Sequence, residues 1–257
     1  MPSENILSHF WELASIDEKT RLKAASQLLH ALNQAQKQHD ERRKIDENSI
    51  EVEEDSSCDE LEYSVMRLVK GLASSRKGAR QGFATVLTEV LSEFASLSPV
   101  GMLRLITKTL EVTGSSKAWE ERDCYVGQIF GVMSVLRSQC EQGKISSPDS
   151  EWLGLLITRI IELSKKKSYL QELCAKVIVD VFTLVSTDVF IKSVYPSVKE
   201  IVESGWTQAT PETLFISLAV QRYWGGHLDK KLIKDAWKCP LIADKQNYQE
   251  MSTVLLV

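Results

Sequence analysis

The sequence has few glycines, prolines and cysteines and no long apolar run. Its 257 residues include only twelve glycines and six prolines, too few for a fold of many tight turns such as a β-sandwich. The five cysteines are widely spaced and form no CxxC pair, so we expect unpaired thiols in a reducing compartment. There is no run of about 18 apolar residues and no secretory signal pattern, which predicts neither a membrane span nor secretion.

Motifs for catalysis and metal binding are missing as well. The sequence has no P-loop, GxGxxG, GxSxG or HExxH pattern, and its four histidines stand at no metal-ligand spacing from cysteines or carboxylates. Carboxylates are dense only between residues 40 and 60, where no rigid frame is predicted to hold paired metals. We therefore predict that the protein is not an enzyme and has no catalytic residue, cofactor, metal or small-molecule substrate.

Charge is distributed unevenly along the chain. Residues 40–60 hold ten acidic and three basic side chains, while the whole protein has a formal net charge of −4. This stretch has few large apolar groups, so burial cannot offset the entropy of ordering it, and we predict a disordered acidic insert. The remainder is mildly basic, unlike the strongly cationic surface of a dedicated nucleic-acid binder.

Apolar residues recur at three- and four-residue steps through most of the remaining sequence, which is the period of amphipathic helices. Serine or threonine before proline marks helix starts at Ser98 and Thr210, and Ser15 to Glu18 has the spacing of a capping box. Pro196 is expected to break or kink a helix, because proline has no backbone N–H.

The spacing of these helices predicts the fold class. About ten or eleven helices are expected, with no strand alternation that persists, and helix pairs recur at roughly the period of HEAT and armadillo repeats. We predict an all-α, HEAT/armadillo-like helical-repeat solenoid with no sheet, forming a single domain over residues 1–257. A compact all-α bundle is the alternative.

One helix pair, over residues 61–94, stands out for its charge. Gly71 and Ser74-Ser75 interrupt its apolar stripe, and Ser75 is the predicted N-cap of the second helix. Between the two stripes lie five cations with no acid among them, which we call the cationic corner: Arg67, Lys70, Arg76, Lys77 and Arg80. Within it, the four-residue spacing of Gly78 and Gly82 favours close helix packing over a phosphate-binding loop.

A second charged site is predicted from two adjacent residues. Arg122 and Asp123 follow two glutamates at the start of a helix, where acids are favoured by the helix macrodipole. We predict that Arg122 and Asp123 form an ion pair with a neighbouring repeat.

Several segments together resemble the N-terminal part of the Myb-binding protein 1A / DNA polymerase phi family, called DNA polymerase V in fungi. The most recognisable segment is YSVMRLVKGLASSRKGARQGFATVLTEVL, which starts at Tyr63. The others are WEERDCYVGQIFGVMSVLRS from Trp119, LSKKKSYLQELCAKVIVDVF from Leu163, FWELASIDEKTRLKAASQLL from Phe10 and TPETLFISL from Thr210. They occur in the family's order over nearly the whole chain, with an acidic break between the first two blocks.

The resemblance implies a nuclear, mainly nucleolar, helical-repeat protein that acts in ribosomal RNA transcription, ribosome biogenesis and transcriptional co-regulation. It implies a non-enzymatic scaffold whose partners are transcription or ribosome-assembly proteins, with rDNA chromatin or RNA as secondary ligands and no membrane. Family members are longer and carry a lysine-rich C-terminal tail, so this chain is expected to correspond to their N-terminal part.

On this basis we predict that the cationic corner is a patch for nucleic acid or a protein partner. The alternative is that its cations pair with Glu62, Glu89 or the acidic insert. Two other functions remain open from the sequence: a DNA polymerase, as the family name suggests, and an import or trafficking adaptor on the same solenoid.

Overall fold

The computed structural model describes residues 4–46, 57–140, 143–145 and 150–256. The described chain is helical apart from turns and an isolated bridge between Ile145 and Val185, and it contains no β-sheet. It divides into two compact units, residues 1–139 (unit 1) and 140–257 (unit 2). The predicted all-α fold class is confirmed for the residues that the structure describes.

Unit 1 consists of six helices joined as three successive pairs. They are α1 Glu4–Leu13, α2 Glu18–Asp46, α3 Asp59–Gly71, α4 Lys77–Glu93, α5 Pro99–Thr109 and α6 Ala118–Ser138. Besides the contacts within each pair, α4 packs on both α2 and α6, and α3 packs on α5. Alternate helices therefore form two layers, which is how stacked helix pairs share a continuous core in repeat proteins.

Unit 2 repeats this arrangement with shorter and less regular pieces. Its main helices are α7 Glu151–Ser164, α8 Ser168–Leu184, α9 Thr187–Val189, α10 Tyr195–Glu203, α11 Pro211–Trp224, α12 Lys230–Trp237 and α13 Tyr248–Leu255. Here α8 packs on α7 and α11, while α10 packs on α7, α11 and α12. A π-helical turn, Phe190–Val194, precedes α10 and places Pro196 in the first turn of that helix, where its missing N–H costs no bond.

Local sequence signals predict some helix starts correctly and others wrongly. Ser98 accepts the N–H of Gly101 at 3.1 Å, and Thr210 accepts the N–H of Thr213 at 3.3 Å, as expected. The predicted capping box at Ser15 is wrong, because Asp17 takes the N-cap position and accepts the N–H of Thr20 at 2.8 Å. Asp17 is the better acceptor because its carboxylate carries a charge.

The N-cap predicted at Ser75 is also wrong. Arg76 occupies that position and offers no side-chain acceptor, so α4 begins one residue later, at Lys77. The hydroxyl of Ser74 instead accepts the N–H of Arg76 at 3.3 Å, which fixes the turn rather than the helix.

The predicted acidic insert is helical at both ends. Helix α2 extends to Asp46, and α3 begins at Asp59 with three acids in its first turn, where the macrodipole favours them. Residues 47–56, the centre of the insert, lie outside the described residues, and their disorder stays a prediction.

Two glycines on α4 have different surroundings, which allows a matched test of packing. A Cβ atom at Gly82 would lie 2.5 Å from the backbone oxygen of Leu13, whereas one at Gly78 would meet only the flexible end of Arg21, at 3.2 Å. We expect Gly82→Ala to lower the free energy of unfolding by about 1–3 kcal/mol, because the clash is with backbone. Gly78→Ala should leave it unchanged or raise it by up to about 1 kcal/mol through helix propensity. Urea denaturation would measure both.

Candidate nucleic-acid interface

The cationic corner is built on the turn between α3 and α4. Leu72 is fully buried at the end of α3, and the chain leaves the core over the next residues before α4 begins at Lys77. Successive backbone hydrogen bonds from Leu72, Ala73 and Ser74 tighten the last turn of α3. The corner is thus a tight turn between two packed helices, and its side chains start from a fixed backbone.

Arg80 is directed into the protein and holds this turn. Its Nε donates to the carbonyl of Leu72 at 3.2 Å, and its Nη2 donates to the carbonyl of Ser74 at 2.7 Å. The same Nη2 atom lies 3.2 Å from Oδ1 of Asp123 on α6, whose side chain is buried. We call this set of contacts the arginine clamp, and it makes Arg80 a structural part of the corner rather than a free surface cation.

The electrostatics of the clamp follow from its partial burial. Burial lowers the pKa of the Arg80 guanidinium, the carboxylate of Asp123 raises it, and the nearby Arg122 lowers it again. An arginine remains protonated at neutral pH under such shifts, because its ordinary pKa lies far above neutrality. The ring of Phe130 lies 5.7 Å from the guanidinium carbon and adds a cation–π contact.

The side chain of Arg67 also makes contacts within unit 1. Its guanidinium lies over the ring of Phe10, 5.3 Å from the centroid, and donates to the hydroxyl of Tyr63 at 3.1 Å. The side chain is only half-buried, so its charge still adds to the surface potential near Lys70, one helical turn further along α3.

Lys70, Arg76 and Lys77 are the exposed members of the corner. None of the three forms an ion pair with a residue in the described part of the chain, and neither Glu62 nor Glu89 reaches them. Residues 47–56 lie outside the described residues, so pairing with the centre of the acidic insert stays an open prediction. The first turn of α4 contains no acid, so its positive macrodipole end adds to the three cations.

Arg21 is a further cation at the same end of α4, and no sequence pattern indicated that it would lie there. Its Nη1 donates to the carbonyls of Ser15 and Ile16 at 3.0 and 2.8 Å. It also lies beside Gly78, so a large side chain at that position would displace Arg21. Positive charge therefore comes from α2, α3, α4 and α6 together, although no single segment is strongly basic.

Three other features bear on what the protein could bind. A recess of about 250 Å³ between α7, α8, α10 and α11 has an apolar floor and a rim with charges of both signs, Lys165, Glu200 and Glu212, which does not suit phosphate. Within the described ranges, no three His, Cys, Asp or Glu side chains come close enough to hold a metal ion. Among the helices described, none has both the length and the apolarity needed to cross a bilayer.

Comparison with known proteins identifies the family to which the chain belongs. The family model described as DNA polymerase phi matches residues 63–257, well over half of the sequence. The chain belongs to the DNA polymerase phi family. The family resemblance that the sequence motifs indicated is therefore confirmed.

The curated relatives of this family are similar to the chain over most of its length. The protein named rDNA transcriptional regulator pol5 of Schizosaccharomyces pombe is 26% identical over 255 residues, which are 99% of this chain and 24% of that protein. Myb-binding protein 1A of Homo sapiens is 26% identical over 184 residues, which are 72% of this chain and 12% of that protein. The chain thus spans about a quarter or less of the length of these relatives. No solved structure matches it significantly.

Two of the segments that carry the DNA polymerase phi resemblance, those starting at Tyr63 and Trp119, meet at the arginine clamp. A Cβ atom at Gly127 would lie 2.9 Å from the carbonyl oxygen of Leu72, and one at Gly131 would lie 2.9 Å from Ile106. Gly127 and Gly131, in the segment that starts at Trp119, thus let α6 lie close to the turn in the segment that starts at Tyr63. The contacts here are those of close helix packing. This packing fixes the backbone that carries the exposed cations.

Of the site residues predicted from sequence, Arg80, Arg122 and Asp123 come together at the clamp. Asp123 does contact a neighbouring helix pair, and Arg122 lies 3.5 Å from the same Oδ1 atom with its side chain mostly exposed. Sequence inspection missed the contact between Asp123 and Arg80, since no local pattern relates residues so far apart in the chain. Whether the corner binds anything stays a prediction at this point.

The clamp predicts a large effect of a single substitution. Asp123→Ala would leave Arg80 buried without its charged partner, and we expect the free energy of unfolding to fall by about 3 kcal/mol. Asp180→Ala removes a carboxylate from the exposed pair with Lys176 and is the control, with an expected loss below about 1 kcal/mol. Equal effects of the two substitutions in urea denaturation would show that the clamp is not a structural contact.

Proposed function

We propose that the chain is a helical scaffold region of a nuclear, nucleolar regulator of rDNA transcription that also acts in ribosome biogenesis. The observation that carries this proposal is its similarity, over 99% of its length, to a protein named rDNA transcriptional regulator. Relatives named Myb-binding protein 1A support protein partners of this kind, because their name says that they bind Myb. These names favour a regulator or binding protein over an enzyme.

The stacked helix pairs support the scaffold part of the proposal. Repeat arrays of this kind present extended surfaces to partners and need no catalytic centre. Transcription and ribosome-assembly proteins are the proposed partners of the helical surface. The cationic corner is the proposed contact with rDNA chromatin or RNA, because its exposed cations stand on a base fixed by the clamp.

The two alternatives make different demands. A DNA polymerase requires two or three carboxylates around paired metal ions, and only the family name favours that activity. Primer extension that depends on Mg²⁺ and is abolished by one carboxylate substitution would establish it. An import or trafficking adaptor would use the same fold but would be found on transport complexes rather than on rDNA.

Chromatin immunoprecipitation tests the regulatory role. The full chain, tagged in its own cells, should be enriched on rDNA relative to other transcribed loci, and its depletion should change the level of newly made ribosomal RNA. Uniform recovery across loci, with unchanged ribosomal RNA synthesis, would contradict the proposal.

The corner itself can be tested by salt-titrated binding to an rDNA fragment or to RNA. Replacing Lys70, Arg76 and Lys77 with glutamine should weaken binding and reduce the slope of log K against log salt by roughly 2, because each phosphate contact contributes about 0.7 to 0.9. Substitution of Lys165, Lys166 and Lys167, three exposed lysines of unit 2, removes the same charge and is the control. If both variants lose affinity equally, only net charge matters and the corner is not the contact.

A further inference from the structure

Trp119 is an exposed indole at the start of α6. Its side chain is 56% exposed, an unusual position for a residue that gains much by burial. It is the second residue of a 21-residue helix whose remaining length is well packed. The nucleic-acid contact proposed above makes no use of it.

The contacts of α6 indicate which end of this helix lies at the cationic corner. Gly131 approaches the side chain of Leu72, Gly127 approaches its carbonyl, and Asp123 reaches Arg80, which holds Ser74. Contacts on α6 thus move along the α3–α4 turn in step with the chain. Trp119 is four residues before Asp123, so these two residues lie on the same side of α6.

Four residues correspond to about 6 Å along the axis of α6. Trp119 is therefore at the end of α6 that contacts the α3–α4 turn through Asp123, Arg80 and Ser74. Arg122 is three residues from Trp119 on the same side of α6, and its side chain is 59% exposed. The indole and Arg122 are thus exposed neighbours at the end of α6 that contacts the turn preceding Arg76 and Lys77.

Three acids follow Trp119 within four residues, and they occupy different positions on α6. The carboxylate of Glu120 accepts the backbone N–H of Lys117 at 2.9 Å and so serves the helix start. Glu121 is two residues from Trp119, on a different face of the helix. Asp123 is buried against Arg80.

We propose that Trp119 and the cationic corner form a binding site for single-stranded nucleic acid. An unpaired base stacks on the indole, while Arg76, Lys77 and Arg122 contact the adjacent phosphates. This combination of an aromatic face and a cationic track is how proteins hold single strands without reading their sequence. The proposal rests on the nucleic-acid contact proposed above and names its ligand class.

The indole is what distinguishes single strands from duplexes. In a duplex the faces of the bases are covered by their neighbours, so an exposed indole can stack only on an unpaired base or at an end. Cations alone bind either form through phosphate. Base–aromatic stacking typically changes affinity by between about 5-fold and 150-fold per base.

Fluorescence anisotropy with labelled oligonucleotides of about twelve nucleotides tests the proposal at fixed salt. Single-stranded RNA, single-stranded DNA and a hairpin-closed duplex of the same sequence are compared on the full chain. Trp119→Ala should weaken binding of the single strands at least about 5-fold and leave the duplex within about 2-fold, and Trp119→Phe should retain most of the affinity. The RNA and DNA arms show which single strand is preferred.

Trp11 provides the matched control, since it is 75% exposed and is carried by α1 rather than α6. Trp11→Ala should not change the affinity for any oligonucleotide, and neither tryptophan variant should shift the melting temperature appreciably. Equal loss on single strands and duplex, or no loss with Trp119→Ala, would overturn stacking.

The glutamine variant of Lys70, Arg76 and Lys77 separates the two proposals. If it loses binding while Trp119→Ala does not, the phosphate contact holds and the stacking site is wrong. If the unsubstituted chain binds no oligonucleotide, both the stacking site and the proposed nucleic-acid contact are wrong. Trp119-dependent binding of an acidic peptide in place of oligonucleotides would make this a protein-docking surface and would also overturn the inference.

Discussion

The arginine clamp is the contact on which the geometry of unit 1 depends. One guanidinium joins two carbonyls of the α3–α4 turn to a carboxylate on α6, so two helix pairs are fixed at one point. A buried ion pair is costly to desolvate, and it is stabilising only when the remaining donors also find acceptors. Here the backbone carbonyls supply those acceptors. The contact therefore determines where α6 lies as well as how the turn is shaped.

Much of the fold could be read from the sequence because its signals are local. Apolar periodicity located the helices, and the caps at Ser98 and Thr210 depend on neighbours three residues away. The prediction at Ser15 failed because the carboxylate of Asp17, two residues further on, takes the cap. The prediction at Ser75 failed because α4 begins one residue later, after Arg76, which has no side-chain acceptor. Helix α13 was not predicted, because its start has no strong capping signal and it buries none of its side chains.

The candidate site was only partly predictable, for a different reason. The five cations of the corner are visible in the sequence, but which of them face inward depends on the packing of α1 and α6. Arg67 finds Phe10 and Arg80 finds Asp123, and neither partner is close in sequence. Arg21 was missed as a member of this surface for the same reason. A surface assembled from several helices cannot be identified from the composition of any one of them.

The separation of the clamp residues also bears on how the protein is made. Arg80 and Asp123 are 43 residues apart, and ribosomes add roughly 5 to 20 residues per second. Arg80 is therefore synthesised roughly 2 to 9 seconds before the carboxylate that completes the clamp. During this interval the arginine lacks its charged partner, and the surface that the clamp later supports does not yet have its final shape. Nascent chains that do not yet include Asp123 thus carry the charges of the corner without the clamp that positions them.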